Sequence, residues 1–404
     1  MFSLHRKGGS KRRYAKIAFW ILVVGLGLLL VGWATLIWAT ERTTPVAVKP
    51  LPSCSRTPPQ SKYSEAVQQA RQQLQEMMTE RSIPGMSVAV AVDGKVVWSE
   101  GFGFAGLATQ APACPETQFR IASVSKPLTA AAIAQLYQQG RLDLDAPVQR
   151  YVSTFPDKGH PITARQLAGH LGGIRHYRDD QEAADKKKHY SSVLESLEKF
   201  QNDPLVAPPG TRMHYSSYGY VLLSAVVEGA SGEDFLTYME RHVFTPLKMS
   251  HTTADRVEVT MPNRTKFYDN TTPWSLDGRL VESPYQDLSS IWAGGGFLST
   301  SEDLVRFGSA HIEGGFLKPE ALELLFTPQS RQFWFLGYGM GWLIARDLHL
   351  RRAYFHFGAG SGATSFLVLY PDQKVCVALL ANLGHARFPF SRIMGIVNPF
   401  IAVR

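Results

Sequence analysis

Cysteine is nearly missing from this chain of 404 residues: Cys54, Cys114 and Cys376 are the only ones. That is too few to build a fold on a disulfide scaffold. Pairing of Cys54 with Cys114 is left open by the sequence. Cys376 lies in the apolar run K-V-C-V-A-L-L-A and reads as a small hydrophobe on a buried strand. No group of His, Cys, Asp or Glu has the spacing of metal ligands, so no metal and no other cofactor is indicated. Basic surface is scarce too. The formal charge is +8, but residues 1–45 hold seven Lys or Arg (Arg6, Lys7, Lys11, Arg12, Arg13, Lys16 and Arg42) against Glu41 alone. Only +2 is left for the rest, and a nucleic-acid partner gets no support.

Charge of either sign is absent over the 24 residues from Ile17 to Thr40, which are rich in Leu, Val, Ile, Gly and Trp. As a helix they would extend roughly 36 Å, enough to cross a bilayer. The apolar region of a cleaved signal peptide is typically about 7–15 residues, so this segment reads as an uncleaved anchor, with cleavage as the rival reading. Six basic residues before Ile17 assign the N-terminus to the cytoplasmic side and the remainder to the far face. In a bacterium that is the periplasm or the outside; the alternative is a mitochondrial inner membrane, with the folded part in the intermembrane space. The chain thus divides into a basic cytoplasmic tail (1–16), a transmembrane anchor (17–40), a linker rich in Pro, Ser and Thr (41–62) and a folded part (63–404). The last, about 340 residues, can bury one large or two interleaved cores.

In the folded part, Val67, Ala70, Leu74 and Met77 recur at helical spacing and predict an amphipathic first helix over Ser64 to Glu80. Met86–Val92 and Lys95–Trp98 flank Asp93-Gly94, a pair that favours a tight hairpin. Further strands are expected at Tyr338–Ala345, Tyr354–Gly358, Thr364–Tyr370 and Lys374–Ala381, and helices at Leu128–Gly140, Ser216–Gly229 and Phe235–Phe244. Five or six strands with helices at both ends of the chain suggest an antiparallel sheet covered by helices, of α/β (α+β) class, with a mainly helical insertion.

The chemistry-bearing stretch is Phe119–Leu128, F-R-I-A-S-V-S-K-P-L. At a helix start, residues three apart share a face, so Ser123 and Lys126 can touch. A serine hydroxyl is a weak nucleophile at neutral pH and needs a base, which a desolvated lysine can supply. S-x-x-K alone recurs by chance in exposed helices. Here two further boxes follow it: P-G-T-R-M-H-Y, ending at Tyr215 and continuing S-S-Y-G-Y, then F-H-F-G-A-G-S-G from Phe355 to Gly362. Serine β-lactamases and penicillin-binding proteins carry S-x-x-K, a second box and K-T-G in that order.

With these boxes, the words P-G-M-S-V-A-V-A-V-D-G-K-V-V-W-S-E-G-F-G, H-L-G-G-I-R-H-Y and W-A-G-G-G-F-L-S-T make the chain resemble the serine β-lactamase-like proteins related to class C β-lactamases, in particular the LACTB-like branch. The resemblance runs from about Tyr63 to about His385. It implies a β-lactamase/transpeptidase-like fold of two lobes, an α/β lobe (63–120 plus 290–404) and a helical lobe (121–289), with the site in the cleft between them. It implies that Ser123 forms an acyl-enzyme which water hydrolyses, that Lys126 is the general base, and that Tyr215 stands at the tyrosine of Y-x-N. His356 takes the place of the K-T-G lysine, where an imidazole would bind an anionic or polar group when protonated and relay a proton when neutral, giving activity a pH dependence at about 6 to 7. The N–H groups of Ser123 and Ala359 would form the oxyanion hole. Gly358, Ser217, Trp292 and Gly294 would face the substrate, and His170, His176 and Tyr177 would form an ordered cleft wall.

Two departures matter: Ser217 stands where Y-x-N has its amide, and His356-Phe357-Gly358 replaces K-T-G. Both count against efficient β-lactam hydrolysis. The expectation is a membrane-anchored serine hydrolase, a peptidase before a carboxylesterase or weak β-lactamase. Its partners would be a peptide or other small acyl substrate and the membrane, with oligomerisation left open. A low-activity scaffold of the same fold is the other class.

Overall fold

A computed structural model describes residues 51–403, apart from 57–59, 180–181, 184–186, 257, 272–278 and 334. The tail, the proposed anchor and residues 41–50 of the proposed linker lie outside the described residues. Among those described, no helix is long and apolar enough to cross a membrane.

The strands, in chain order, are β1 (Ser53–Cys54), β2 (Gly85–Val92), β3 (Lys95–Gly106), β4 (Ala111–Pro112), β5 (Phe119–Arg120), β6 (Thr253–Ala254), β7 (Tyr268–Asn270), β8 (Leu280–Glu282), β9 (Phe297–Ser299), β10 (Ser330–Phe333), β11 (Leu336–Tyr338), β12 (Leu343–Arg346), β13 (Arg352–Gly360), β14 (Ala363–Tyr370) and β15 (Val375–Ala381). One antiparallel sheet runs β1-β3-β2-β15-β14-β13-β12-β11-β10, with β4 beside β3. The expected hairpin forms at Asp93-Gly94, where both residues have positive φ, as the turn matched to strand twist requires. A small sheet, β5-β9-β6, lies apart from the large one and leads into the site. The expected strand Tyr338–Ala345 is instead two, β11 and β12. Gly341 takes a left-handed φ between them, and Gly339 N–H closes the turn on Trp342 O.

The central strands are buried on both faces, which is why they read as unbroken apolar runs rather than alternations. Val88, Val90 and Val92 of β2 join a core with α1 (Ser64–Arg81) and the C-terminal helix Phe390–Ala402. Ala89 and Ala91 face the opposite core, with α2 (Ser125–Gln138), α3 (Ser217–Ser231) and the helix Ser301–Glu313. Small residues are needed there because that last helix comes very close: a Cβ on Gly308 would collide with Cys376 Sγ. Val67, Ala70, Leu74 and Met77 are all buried on α1, as their spacing requires.

Residues 53–54, inside the segment that reads as linker, pair with Phe102 and Gly101 of β3. Cys54 is disulfide-bonded to Cys114 across 60 residues of sequence. Cross-linking a loop of that size restricts the unfolded chain enough to contribute about 4 kcal/mol. The variant Cys54→Ser/Cys114→Ser should therefore unfold at clearly lower urea concentration than the oxidised wild type, with reduced wild type matching the variant. Identical midpoints in all three would show that the bridge is not formed or not stabilising.

Candidate active site

The nucleophile turn is built by short-range geometry. β5 pairs with β9, Ile121 N–H donates to Phe297 O at 3.0 Å, and the chain turns through a single 3-10 turn, Ala122–Val124, into α2. Ala122 sits at φ 44°, a left-handed conformation that costs a residue with a Cβ some strain. The turn leaves Ser123 half-exposed, while Ala122, Val124, Ser125 and Lys126 are buried. Behind it, Arg120 makes a buried ion pair with Asp255 at 2.6 Å, and Arg264 reaches the other carboxylate oxygen at 3.2 Å. Neither Arg120 nor Asp255 was singled out by sequence reasoning; an Arg three residues before the S-x-x-K word was the one signal available.

Lys126 is fully buried, with Nζ 3.0 Å from Ser123 Oγ, 3.2 Å from Ser217 Oγ and 2.7 Å from Gly294 O. The rings of Tyr215 and Tyr220 lie 4.8 and 5.6 Å from Nζ, and no carboxylate pairs with it among the described residues. Burial therefore pushes its pKa well below the ordinary lysine value. That shift favours the neutral amine, in which there are two N–H bonds and one lone pair. Gly294 O can only accept, so it takes one N–H; Ser217 Oγ takes the other, and the lone pair is left to accept the Ser123 O–H. Tyr215 OH donates to the same Ser123 Oγ at 2.9 Å. Burial raises the Tyr215 pKa and keeps the phenol protonated, with the Ser123 contact opposing in part. The hydroxyl of Ser123 is thus bracketed by an acceptor amine and a donor phenol.

His356, on β13, is buried, and of its two expected forms its contacts suit the neutral one. Its Nδ1 lies 2.8 Å from Phe357 O, which only accepts, so Nδ1 carries the proton. Its Nε2, 3.0 Å from Tyr338 OH, then accepts from that phenol. Burial, together with the field of Lys126, lowers its pKa to about 3. A charge change at pH 6 to 7 is accordingly not available from this ring.

Of the other expected residues, Gly358 lies flush against the nucleophile turn. A Cβ there would collide with Ile121 O and Ser365 Oγ and stand 2.9 Å from Ser123 N. Ala359 follows it, exposed and opposite Thr364 of β14. Ser217 is buried as the first residue of α3, and its hydroxyl meets the lysine. Gly294 also turns its carbonyl to Lys126, a contact that spacing in the sequence does not reveal. Trp292 begins the helical turn Trp292–Gly295 and packs half-buried against the helical core, its indole N–H buried without an acceptor among the described residues. Among the described residues, no group of three or more His, Cys, Asp or Glu could hold a metal ion.

The model of the family described as Beta-lactamase matches residues 70–395. The serine beta-lactamase-like protein LACTB, mitochondrial, of Homo sapiens is 34% identical, over 80% of this chain and 74% of that protein. Penicillin-binding protein 4* of Bacillus subtilis (strain 168) is 27% identical over 73% of this chain and 67% of its own length. A solved structure described as the octameric penicillin-binding protein homologue from Pyrococcus abyssi superposes with a TM-score of 0.72 at 29% identity, covering 81% of this chain and 76% of that one. The chain belongs to the Beta-lactamase family and is a serine hydrolase.

Proposed function

We propose that this serine hydrolase works through an acyl-enzyme on Ser123 and that its substrates are peptides, or other acyl compounds, presenting no carboxylate at the site. The observation that carries the reading is the Ser123 hydroxyl held 3.0 Å from the buried Lys126 amine and 2.9 Å from the Tyr215 phenol. Lys126 takes the Ser123 proton as Oγ bonds to the carbonyl carbon, and the oxyanion is met by the N–H groups of Ser123 and Ala359. Expulsion of the leaving amine or alkoxide needs that proton back, and Tyr215, next to both groups, is placed to pass it on. Water then attacks the acyl carbon by the same route in reverse, releasing the acid and restoring Ser123.

Exclusion of carboxylate-bearing substrates follows from the third box. A fixed lysine there would pair with an anion, whereas the neutral His356, turned to Tyr338, has no charge to offer. Blocked peptides and short esters should be hydrolysed at rates at least about tenfold above those for peptides with a free C-terminal carboxylate and for a chromogenic cephalosporin, since one lost charge-assisted contact is worth roughly that much. Preference for the carboxylate-bearing members would defeat the substrate assignment, and absence of turnover on the whole panel would favour a scaffold.

As to place, the reading that residues 17–40 anchor the chain, with the folded part on a non-cytosolic face, gains support from the Cys54–Cys114 disulfide, since such bonds persist in oxidising compartments. The mitochondrial designation of the LACTB relatives favours the intermembrane-space version.

A further inference from the structure

The tyrosine that brackets Ser123 lies at the end of a loop, Pro209–Tyr215, rather than inside a helix or strand, so something must fix its phenol. Tyr215 directly precedes Ser216, the N-cap of α3. His170 lies in a different loop and has φ 59°, a left-handed conformation that His adopts more readily than most residues with a Cβ. This backbone geometry turns both its carbonyl and its ring toward one segment. His214 N–H donates to His170 O at 2.8 Å, and Ser216 N–H donates to His170 Nδ1 at 3.2 Å. The two contacts fall on either side of Tyr215, and the His170 ring packs on the Tyr215 ring with centroids 4.3 Å apart.

We infer that His170 is a positioning residue which clamps the residues flanking Tyr215 and thereby holds the phenol against Ser123; this rests on the hydrolase reading above. The clamp is itself anchored. Gly169 O accepts from Ser330 Oγ of β10 at 2.8 Å, and Ala168 O accepts from Tyr220 OH of α3 at 2.8 Å. On the other side of Tyr215, His176 Nδ1 accepts Ser217 N–H at 3.2 Å and its ring meets Tyr215 edge-on. Because His170 Nδ1 accepts, the ring must be the neutral tautomer with its proton on Nε2. Burial and the nearby Lys126 both oppose its protonation. A charged ring would lose the Ser216 contact, so the neutral state and the clamp support each other.

The test separates backbone conformation from the Nδ1 acceptor. Glycine and asparagine both tolerate left-handed φ, but only asparagine offers an acceptor at the same distance along its side chain. Rates of Ser123 acylation by a fluorophosphonate, per folded full-length protein, should fall at least about tenfold in His170→Gly and stay within about threefold of wild type in His170→Asn, the order expected when a catalytic group is misplaced by a fraction of an ångström. In a Tyr215→Phe background, His170→Gly should add almost nothing, because both changes act through one phenol. Equal rates in wild type and His170→Gly, equal losses in the two His170 variants, or full additivity with Tyr215→Phe would each overturn the clamp. Should His170→Gly not fold, His170→Asn decides alone: a loss of about tenfold or more rejects the proposal. A wild type that takes no label sinks the hydrolase reading instead, so the two failures are distinct.

Discussion

Lys126→Met is expected to fold normally and to acylate Ser123 at least about a thousandfold more slowly than wild type, with Ser123→Ala taking no label at all. The argument starts from burial. The lysine side chain is fully enclosed, with two aromatic rings around its amine and no carboxylate partner among the described residues, so methionine fills the same space without stranding a charge. What is lost is the lone pair that accepts the Ser123 proton, along with donors to Gly294 O and Ser217 Oγ. Two buried acceptors without donors cost about 1–3 kcal/mol each. Against this stands a gain that depends on pH. The lowered pKa means that the native amine is neutral where the unfolded one is charged, so wild type gives up stability below the ordinary lysine range and recovers it as pH rises toward about 10.4. The stability of Lys126→Met relative to wild type should therefore be most favourable near neutral pH and decline toward pH 10. Wild-type acylation should rise with pH through the lowered amine pKa. Wild-type labelling rates in a folded Lys126→Met protein would mean that another base serves Ser123.

Acidification should unfold the domain well before its carboxylates are fully protonated, through three buried histidines. His170, His311 and His356 are each nearly inaccessible, and burial is the main force lowering all three pKa values, to about 4 for His311 and about 3 for His356. In the unfolded chain they would take up protons near pH 6.5. Between that pH and their folded values, the unfolded state binds more protons than the native one. Stability is therefore intact above about 6.5 and lost as pH falls, at about 1.4 kcal/mol per pH unit for each ring and about 4 for the three together. At that slope a domain holding about 5 kcal/mol would exhaust its reserve at about pH 5, and one holding about 10 kcal/mol at about pH 4. His311 offers the cleanest control, because it lies among Phe307, Phe316, Phe326 and Trp342, away from Ser123. His311→Phe should flatten the loss between pH 6 and 4.5 by about a third. Urea midpoints measured across that range would show it. A stability independent of pH from 6.5 to 5 would mean that the rings are protonated, or solvated, in the native protein.

The legible parts of this molecule share a feature: their causes lie within a few residues. Ser123 and Lys126 meet because they are three apart on one turn, and the Asp93-Gly94 hairpin forms because those two residues accept positive φ. The apolar runs of β2, β14 and β15 declare strands buried on both faces. Residues 53–54 were not legible, since nothing apolar or periodic marks them; pairing with β3 and the disulfide place them in the sheet. The break between β11 and β12 was missed because its aromatic and aliphatic residues read as one strand. There a Cβ on Gly339 would collide with Leu325 O, and the chain turns.

The candidate site divides in the same way. The sequence named Ser123 and Lys126 by their spacing, and the resemblance carried by the ordered boxes added Tyr215 and His356 to the group. It could not reveal that Lys126 hands its N–H groups to Gly294 O and Ser217 Oγ, or that His170 grips both sides of Tyr215, because those partners come from segments far apart along the chain. It also left the charge of His356 undetermined. An imidazole at that place in the motif is a cation if wetted and neutral if enclosed, and only the packing of β13 against Tyr338 enclosed it. Residue types and local spacing determined which groups could react; the desolvation and donor geometry that decide their protonation states belong to the tertiary structure, because both depend on what distant segments bring around them.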